Sequence, residues 1–109
     1  MAYKVTFFIG LNDKDTKQQR ISTDDARRLL CKCIVKYFEF GGTLSDCYGV
    51  YRHCDGSNVI VLESSFKVEI LFFDNDFETR CSRFAAVVKR AFNQESILQT
   101  VCNLDASFI

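Results

Sequence analysis

The sequence predicts an α+β fold of the ferredoxin-like type, the split βαβ arrangement with the element order β-α-β-β-α-β. Two segments have the apolar spacing of amphipathic helices, and four others have the alternating or continuous apolar pattern of strands. A length of 109 residues with 48% hydrophobic content suits one core, so residues 1–109 are expected to form a single α+β domain. We expect a four-stranded antiparallel sheet with two helices on one face, the first and third strands central, and the other face open.

The first strand and the first helix have the clearest signals. In residues 3–11, YKVTFFIGL, every second side chain is apolar, which is typical of a strand with one buried face. Residues 22–38 carry an apolar stripe at helical spacing, and Ser22 and Asp25 have the spacing of a capping box. A glycine pair beginning at Gly41 is expected to end this helix.

A hairpin is predicted in the middle of the chain. Residues 43–53 form a weaker strand, Asp55-Gly56 marks the turn, and residues 59–73 form a long second strand. Since Glu63-Ser64-Ser65 interrupts the apolar pattern of this long strand, we expect a bulge or kink there.

The last third of the chain predicts a helix followed by a strand. Residues 74–94 carry a second apolar stripe, and Asp74 or Asp76 is expected to cap this helix. Residues 98–104 then form the final strand, and the tail at 105–109 could fold over the open face of the sheet.

Composition limits the classes of function. The formal net charge is zero, which weakens a general claim of nucleic-acid binding. The apolar run at the N-terminus is too short to span a bilayer and has no signal-peptide pattern, so we expect a cytoplasmic protein without membrane association. The six cysteines are therefore expected as thiols, and the sequence indicates no cofactor.

The most polar stretch is the loop GLNDKDTKQQ at residues 10–19, which contains Asp13 and Asp15. A calcium-binding EF-hand loop would need an acid and a glycine where Lys17 and Gln18 stand, so we predict no metal site here. Two interpretations remain: a solvated connection with turn hydrogen bonds, or a recognition loop in which the two aspartates contact a partner.

The cysteines do not predict a metal or catalytic site. Cys33 and Cys81 fall in the apolar stripes of the helices, and Cys102 could also be a core residue. His53 and Cys54 are neighbours in a strand and would point to opposite faces, which disfavours a nucleophile pair. Whether the other thiols are reactive stays open, namely Cys31, Cys47 and Cys54.

Two surfaces could meet a partner. The first is a cationic face of the helix layer, which is either a patch for RNA, DNA or an acidic protein or an ordinary solvated face. It consists of Arg27, Arg28, Lys32, Arg80, Arg83 and Arg90. The second is the open sheet face with Phe8, Leu71 and Phe73, where exposed apolar groups favour homodimerisation or docking on a protein. Glu69 on that face disfavours RNA stacking because it would repel phosphate.

Some stretches resemble known groups of proteins. KVTFFIGL, GGTLSDCYGVYR and VLESSFKVEI resemble a family of small uncharacterised bacterial α+β proteins, over about the first two thirds of the chain. GLNDKDTK is similar to short proteins of phages and mobile elements, some of which are anti-defence inhibitors of the anti-CRISPR type. The resemblance assigns no active residue and implies a protein that works by binding.

These observations together predict a non-enzymatic protein-interaction module of phage or mobile-element type. It would bind and occlude a host protein or ribonucleoprotein, such as a CRISPR effector, and the sheet face would offer no pocket for catalysis. Two alternatives remain: a small RNA- or DNA-binding domain, which a salt-dependent gel shift would reveal, and a dimeric ferredoxin-like domain with a ligand site on the sheet face.

Overall fold

The structure is a computed structural model that describes residues 1–53 and 55–109. These residues form four strands and two helices in the predicted order. The elements are β1 (Ala2–Gly10), α1 (Thr23–Tyr37), β2 (Thr43–Arg52), β3 (Ile60–Phe72), α2 (Glu78–Ala91) and β4 (Leu98–Leu104). The prediction of an α+β, ferredoxin-like fold is confirmed. Neither helix in the described part of the chain is long and apolar enough to cross a membrane.

The four strands form one antiparallel sheet in the order β2-β3-β1-β4, so β1 and β3 are central as predicted. The register between β1 and β3 runs from Tyr3 opposite Phe72 to Gly10 opposite Ser65. Because side chains alternate between the two faces of a strand, this register places most of the large apolar side chains of both central strands on one face, whereas Phe8 and Leu71 point to the other.

That face and the two helices enclose the core, in which phenylalanine dominates. The fully buried side chains from the sheet include Val5, Phe7, Ile9, Phe66, Val68 and Ile70. The helices contribute Leu30, Cys81, Phe84 and Val88, and the loop after β1 contributes Leu11. The rings of Phe7 and Phe84 lie 5.0 Å apart between centroids, which ties β1 to α2. The opposite face of the sheet carries no helix among the described elements.

The two helices begin differently. Ser22 caps α1 as predicted, since its hydroxyl accepts a hydrogen bond from the Asp25 amide at 3.1 Å. The predicted aspartate cap of α2 is wrong, because Phe77 occupies the N-cap position. Its ring is buried and stacks on Phe72 at 5.1 Å, so apolar packing fixes where the chain enters the helix. Asp74 instead accepts hydrogen bonds from the Asp76 amide and from the Arg80 guanidinium.

The predicted break in the long strand is also wrong. β3 is continuous from Ile60 to Phe72, and residues 63–65 pair regularly with β2. The apolar pattern changes there because β1 ends at Gly10, opposite Ser65, and β3 continues beyond it paired with β2 alone. The β2–β3 hairpin therefore projects past the helix layer.

Candidate functional site

The open face of the sheet holds a cleft of about 380 Å³ at the end where β1 stops and the hairpin projects. Its floor consists of side chains that alternate away from the core, and every strand contributes. The floor residues are Phe8 and Gly10 from β1, Gly49 and Tyr51 from β2, Glu63 and Ser65 from β3, and Leu98 from β4. The expectation that the sheet face would lack a pocket is therefore wrong.

Two loops form the walls of this cleft. The loop after β1 contributes residues 12–14 and Lys17, and the turn between α2 and β4 contributes residues 94–96. The lining thus combines a carboxylate on the floor with two lysines on one wall and Glu95 on the other. Aromatic and aliphatic side chains, Phe8, Tyr51 and Leu98, supply apolar surface beside them.

Glu63 is the carboxylate on the floor, and the chain makes room for it. Its Oε2 accepts a hydrogen bond from the Asn12 amide at 2.7 Å. A Cβ at Gly10 would lie 2.5 Å from the Glu63 carboxyl carbon, a separation that real atoms do not adopt. At Gly49, on the other side, a Cβ would lie 3.7 Å from Glu63 Oε1, which is ordinary contact. Gly10 therefore holds open the space that the carboxylate occupies.

The loop after β1 folds around Asp13, which is almost fully buried. Asp13 Oδ1 accepts hydrogen bonds from the amides of Asp15 at 2.8 Å and Thr16 at 2.9 Å. These bonds and the one from the Asn93 side chain favour the ionised carboxylate, and they lower the pKa of Asp13 to about 2, led by the bond from Thr16. Asp13 thus closes a turn, as the first interpretation of this loop predicted.

The same loop is fastened to the opposite wall of the cleft. The Asn93 amide group donates to Asp13 Oδ2 and to Asp15 Oδ2, each at 2.9 Å, and the Lys14 backbone amide donates to the Asn93 carbonyl. The Gln94 side chain donates to the Asn12 carbonyl. The two walls are therefore tied to each other and, through Asn12, to Glu63. The prediction that Asp13 and Asp15 contact a partner is not tested by these bonds.

The predicted cationic face lies on the helix layer, on the side of the sheet opposite the cleft. Three of its arginines are in ion pairs: Arg27 with Asp24 and Asp46, Arg28 with Asp25, and Arg80 with Asp74. The bonds to Asp24 and Asp46 raise the pKa of Arg27. The other three members, Lys32, Arg83 and Arg90, are exposed. Whether this face binds a partner stays a prediction.

The predicted apolar residues of the open face separate into two places. Phe8 lines the cleft and is 39% exposed. Leu71 is half-buried near the other end of the sheet, and Phe73 lies just beyond β3. Phe73 is in a cluster with Phe40 and with Phe108 of the tail, at 6.1 Å and 5.6 Å between ring centroids. The structure therefore does not bring these three residues together.

The cysteines follow the predictions in part. Cys33 and Cys81 are buried, and burial raises the pKa of the Cys81 thiol to about 11. Burial also raises the pKa of Cys47. The prediction that Cys102 is core is wrong, because it lies exposed on the edge strand β4. The questions about Cys54, including the pair with His53, fall outside the described residues. Apart from Cys54, the chain has no cluster of three or more metal-ligating side chains.

A family comparison covers nearly the whole chain. DUF3574, described as a protein of unknown function, matches residues 4–108. The chain belongs to this family. None of the curated proteins matches the chain in sequence. The family match leaves the resemblance to mobile-element proteins untested, and it does not assign a role to any residue.

Solved structures of a phage protein have a similar fold. A phage SAM lyase in complex with S-methyl-5'-thioadenosine matches with a TM-score of 0.68 at 19% identity, over 93% of this chain and 80% of that one. The apo state of a phage SAM lyase matches with a TM-score of 0.67 at 18% identity, over 92% of this chain and 78% of that one. At these identities the likeness establishes the fold.

This comparison contradicts two predictions from the sequence: that the protein is a non-enzymatic inhibitor of the anti-CRISPR type, and that it is not an enzyme. The predictions failed because the cleft has no linear motif. In sequence, Glu63 stands where the apolar pattern of a strand is interrupted, and Gly10 lies inside the first strand at the start of the polar loop. Aligning the first and third strands as antiparallel neighbours would have placed Glu63 on the open face close to Gly10. That alignment is the signal in the sequence from which the site could have been found.

Proposed function

We propose that the cleft on the open sheet face binds S-adenosylmethionine or a closely related sulfonium nucleoside and that the protein cleaves it as a lyase. The observation that carries the proposal is the Glu63 carboxylate on the cleft floor, kept clear by Gly10 and held by the Asn12 amide. The fold shared with a phage SAM lyase supports it. The proposal corresponds to one alternative that the sequence left open, a ferredoxin-like domain with a ligand site on the sheet face.

The chemistry of the lining suits such a ligand. A sulfonium nucleoside has a permanent positive charge beside an aromatic base and a ribose. Glu63 supplies the opposite charge, and Phe8, Tyr51 and Leu98 supply apolar surface for the base. The side chains of Gln94 and Ser96 offer hydrogen bonds for ribose hydroxyls. A volume of about 380 Å³ is in the range of pockets for ligands of this size.

The proposed reaction breaks the bond between sulfur and the amino-acid side of the substrate. Sulfur keeps the electron pair of that bond and becomes the neutral thioether of S-methyl-5'-thioadenosine. In a lyase the electron pair that fills the vacated carbon comes from the fragment itself, so no water is consumed. Either the carboxylate oxygen forms a C–O bond to that carbon and closes a lactone ring, or the neighbouring C–H bond becomes part of a C=C bond and its proton passes to a base such as solvent. Glu63 holds the cationic substrate in place, and positioning of this kind contributes to the rate.

Purified protein incubated with S-adenosylmethionine tests the proposal. The expected result is release of S-methyl-5'-thioadenosine, detected by chromatography and mass spectrometry, above the spontaneous rate in buffer. Glu63→Gln keeps the size of the side chain and removes its charge, so we expect S-adenosylmethionine to bind about tenfold more weakly or worse. The neutral product should bind this variant nearly as well as it binds the wild type. If wild-type protein neither binds nor cleaves the substrate, the proposal is wrong.

A further inference from the structure

The cleft continues into a smaller cavity along the sheet, toward the turn of the β2–β3 hairpin. This cavity measures about 120 Å³ and is lined by Lys17, Tyr51, His53 and Val61. Lys17 and Tyr51 line both spaces, so the two cavities adjoin along β2 and β3, and together they are called the groove. A ligand that binds over Glu63 can therefore extend a substituent into the smaller cavity, toward Tyr51 and Val61.

Charge is distributed unevenly along this groove. Val61 lies on the same strand face as Glu63 and two residues before it, a distance of about 7 Å along the strand. Beyond Glu63 in this direction, the groove presents the ammonium of Lys17 and the imidazole of His53. Asp55 already pairs with His53, with 3.4 Å between Nδ1 and Oδ2. Neither Lys14 nor Lys17 has an ion-pair partner among residues 1–53 and 55–109. Only Lys17 also lines the smaller cavity, so it is the lysine at this end of the groove.

The backbone fixes Lys17 at this place. Its φ is 61°, in the left-handed region that residues other than glycine rarely adopt. The Lys17 amide donates to the Asp13 carbonyl at 2.8 Å, and Asp13 is in turn held by Asn93 from the other wall. The position of the Lys17 backbone is therefore set by the same hydrogen bonds that build the cleft.

We infer that Lys17 recognises the carboxylate of the substrate's amino-acid arm, with the sulfonium over Glu63 and the arm directed toward Tyr51. This inference rests on the proposed function and adds the orientation and the selectivity of the same site. In S-adenosylmethionine three carbon atoms separate sulfur from the carboxyl carbon, so the carboxylate falls between Glu63 and the Lys17 end of the groove. Ion pairing with hydrogen bonding then favours a ligand that carries this carboxylate.

Rapid-mixing binding measurements with three ligands, completed before appreciable cleavage, test the inference. The ligands are S-adenosylmethionine, its decarboxylated analogue and S-methyl-5'-thioadenosine, and the proteins are wild type, Lys17→Asn, Lys17→Arg and Lys89→Gln. Asparagine tolerates the left-handed backbone and removes the charge, whereas arginine keeps the charge. Lys89 lies on the outer face of α2 and is the matched control.

We expect the wild type to bind S-adenosylmethionine about tenfold more tightly than the decarboxylated analogue. Lys17→Asn should remove that preference because it weakens the binding of S-adenosylmethionine and leaves the binding of the other two ligands unchanged. Lys17→Arg and Lys89→Gln should keep the preference. The inference is overturned if the wild type shows no preference or if Lys17→Asn weakens all three ligands equally. If the wild type binds none of the three ligands, both the proposed function and the inference are wrong. If it binds them with equal affinity, only the inference is wrong.

Discussion

Replacing Gly10 by alanine should disable the cleft without unfolding the protein. The new Cβ would lie 2.5 Å from both the carboxyl carbon and Oε2 of Glu63. Ordinary contact requires about 3.5 Å, so the carboxylate has to retreat by about 1 Å. That movement breaks the hydrogen bond from the Asn12 amide, which is 2.7 Å long in the wild type. The displaced group is the end of a flexible side chain, so the backbone can stay in place.

The two contributions to stability nearly cancel. Losing one hydrogen bond costs about 1 kcal/mol, and replacing glycine by alanine in a strand gains about 0.4–1 kcal/mol through the unfolded state. The melting temperature should therefore change by less than about 5 °C. Binding of S-adenosylmethionine should weaken by about tenfold or more, because the displaced carboxylate no longer faces the sulfonium charge, and a loss of about 1.4 kcal/mol is tenfold in affinity.

A double-mutant cycle decides whether the effect passes through Glu63. In a Glu63→Ala background the atoms that the new Cβ meets are gone, so Gly10→Ala should weaken binding no further. Gly49→Ala, whose Cβ meets Glu63 Oε1 only at 3.7 Å, should weaken binding less than Gly10→Ala. Wild-type affinity in Gly10→Ala, or fully additive losses in the cycle, would refute the reasoning.

Three further predictions concern stability and thiol chemistry. Gly42→Ala should lower the free energy of unfolding in urea by about 1–3 kcal/mol, because its Cβ would lie 2.9 Å from the Glu69 carbonyl oxygen. Asp13 has a folded-state pKa of about 2, below its ordinary 3.8, so its ionised form stabilises the fold. The stability advantage of wild type over Asp13→Asn should be complete above about pH 4 and vanish as the pH falls toward 2. Iodoacetamide should label exposed Cys31 rapidly in the native protein and label Cys81 only on unfolding.

Each of these has an outcome that would contradict it. Unchanged urea unfolding in Gly42→Ala would mean that the turn before β2 can shift freely. A stability difference between wild type and Asp13→Asn that stays constant from pH 6 to pH 2 would show that the carboxylate is not held as described. Equal labelling rates for Cys31 and Cys81 in native protein, read by peptide mass spectrometry, would argue against the burial of Cys81.

The sequence predicted the architecture well because burial leaves a periodic signal. The alternation in residues 3–11 and the stripe in residues 22–38 correspond to β1 and α1, and Ser22 caps the helix as predicted. Local polar signals were less reliable where tertiary packing competes with them. At α2 the burial of Phe77 overrode the aspartate caps, and in β3 the polar residues marked the end of helix cover, not a break.

The cleft was not predictable from local patterns because it depends on register. Gly10 and Glu63 come from different halves of the chain, and they meet only when β1 and β3 pair with Gly10 opposite Ser65. The same holds for the wall, where Asp13 is held by Asn93 from the turn that follows α2. The sequence of the loop at residues 10–19 does not show which residues it contacts, because Asn93 comes close to it only in the folded protein.

The most direct test of the central claim is an amide chemical-shift titration of isotope-labelled protein with S-methyl-5'-thioadenosine. If the cleft around Glu63 is the ligand site, the largest changes will lie at Gly10, Asn12, Gly49 and Leu98, which surround it. Changes confined to the outer faces of α1 and α2, with these four amides unmoved at saturating ligand, would contradict the account.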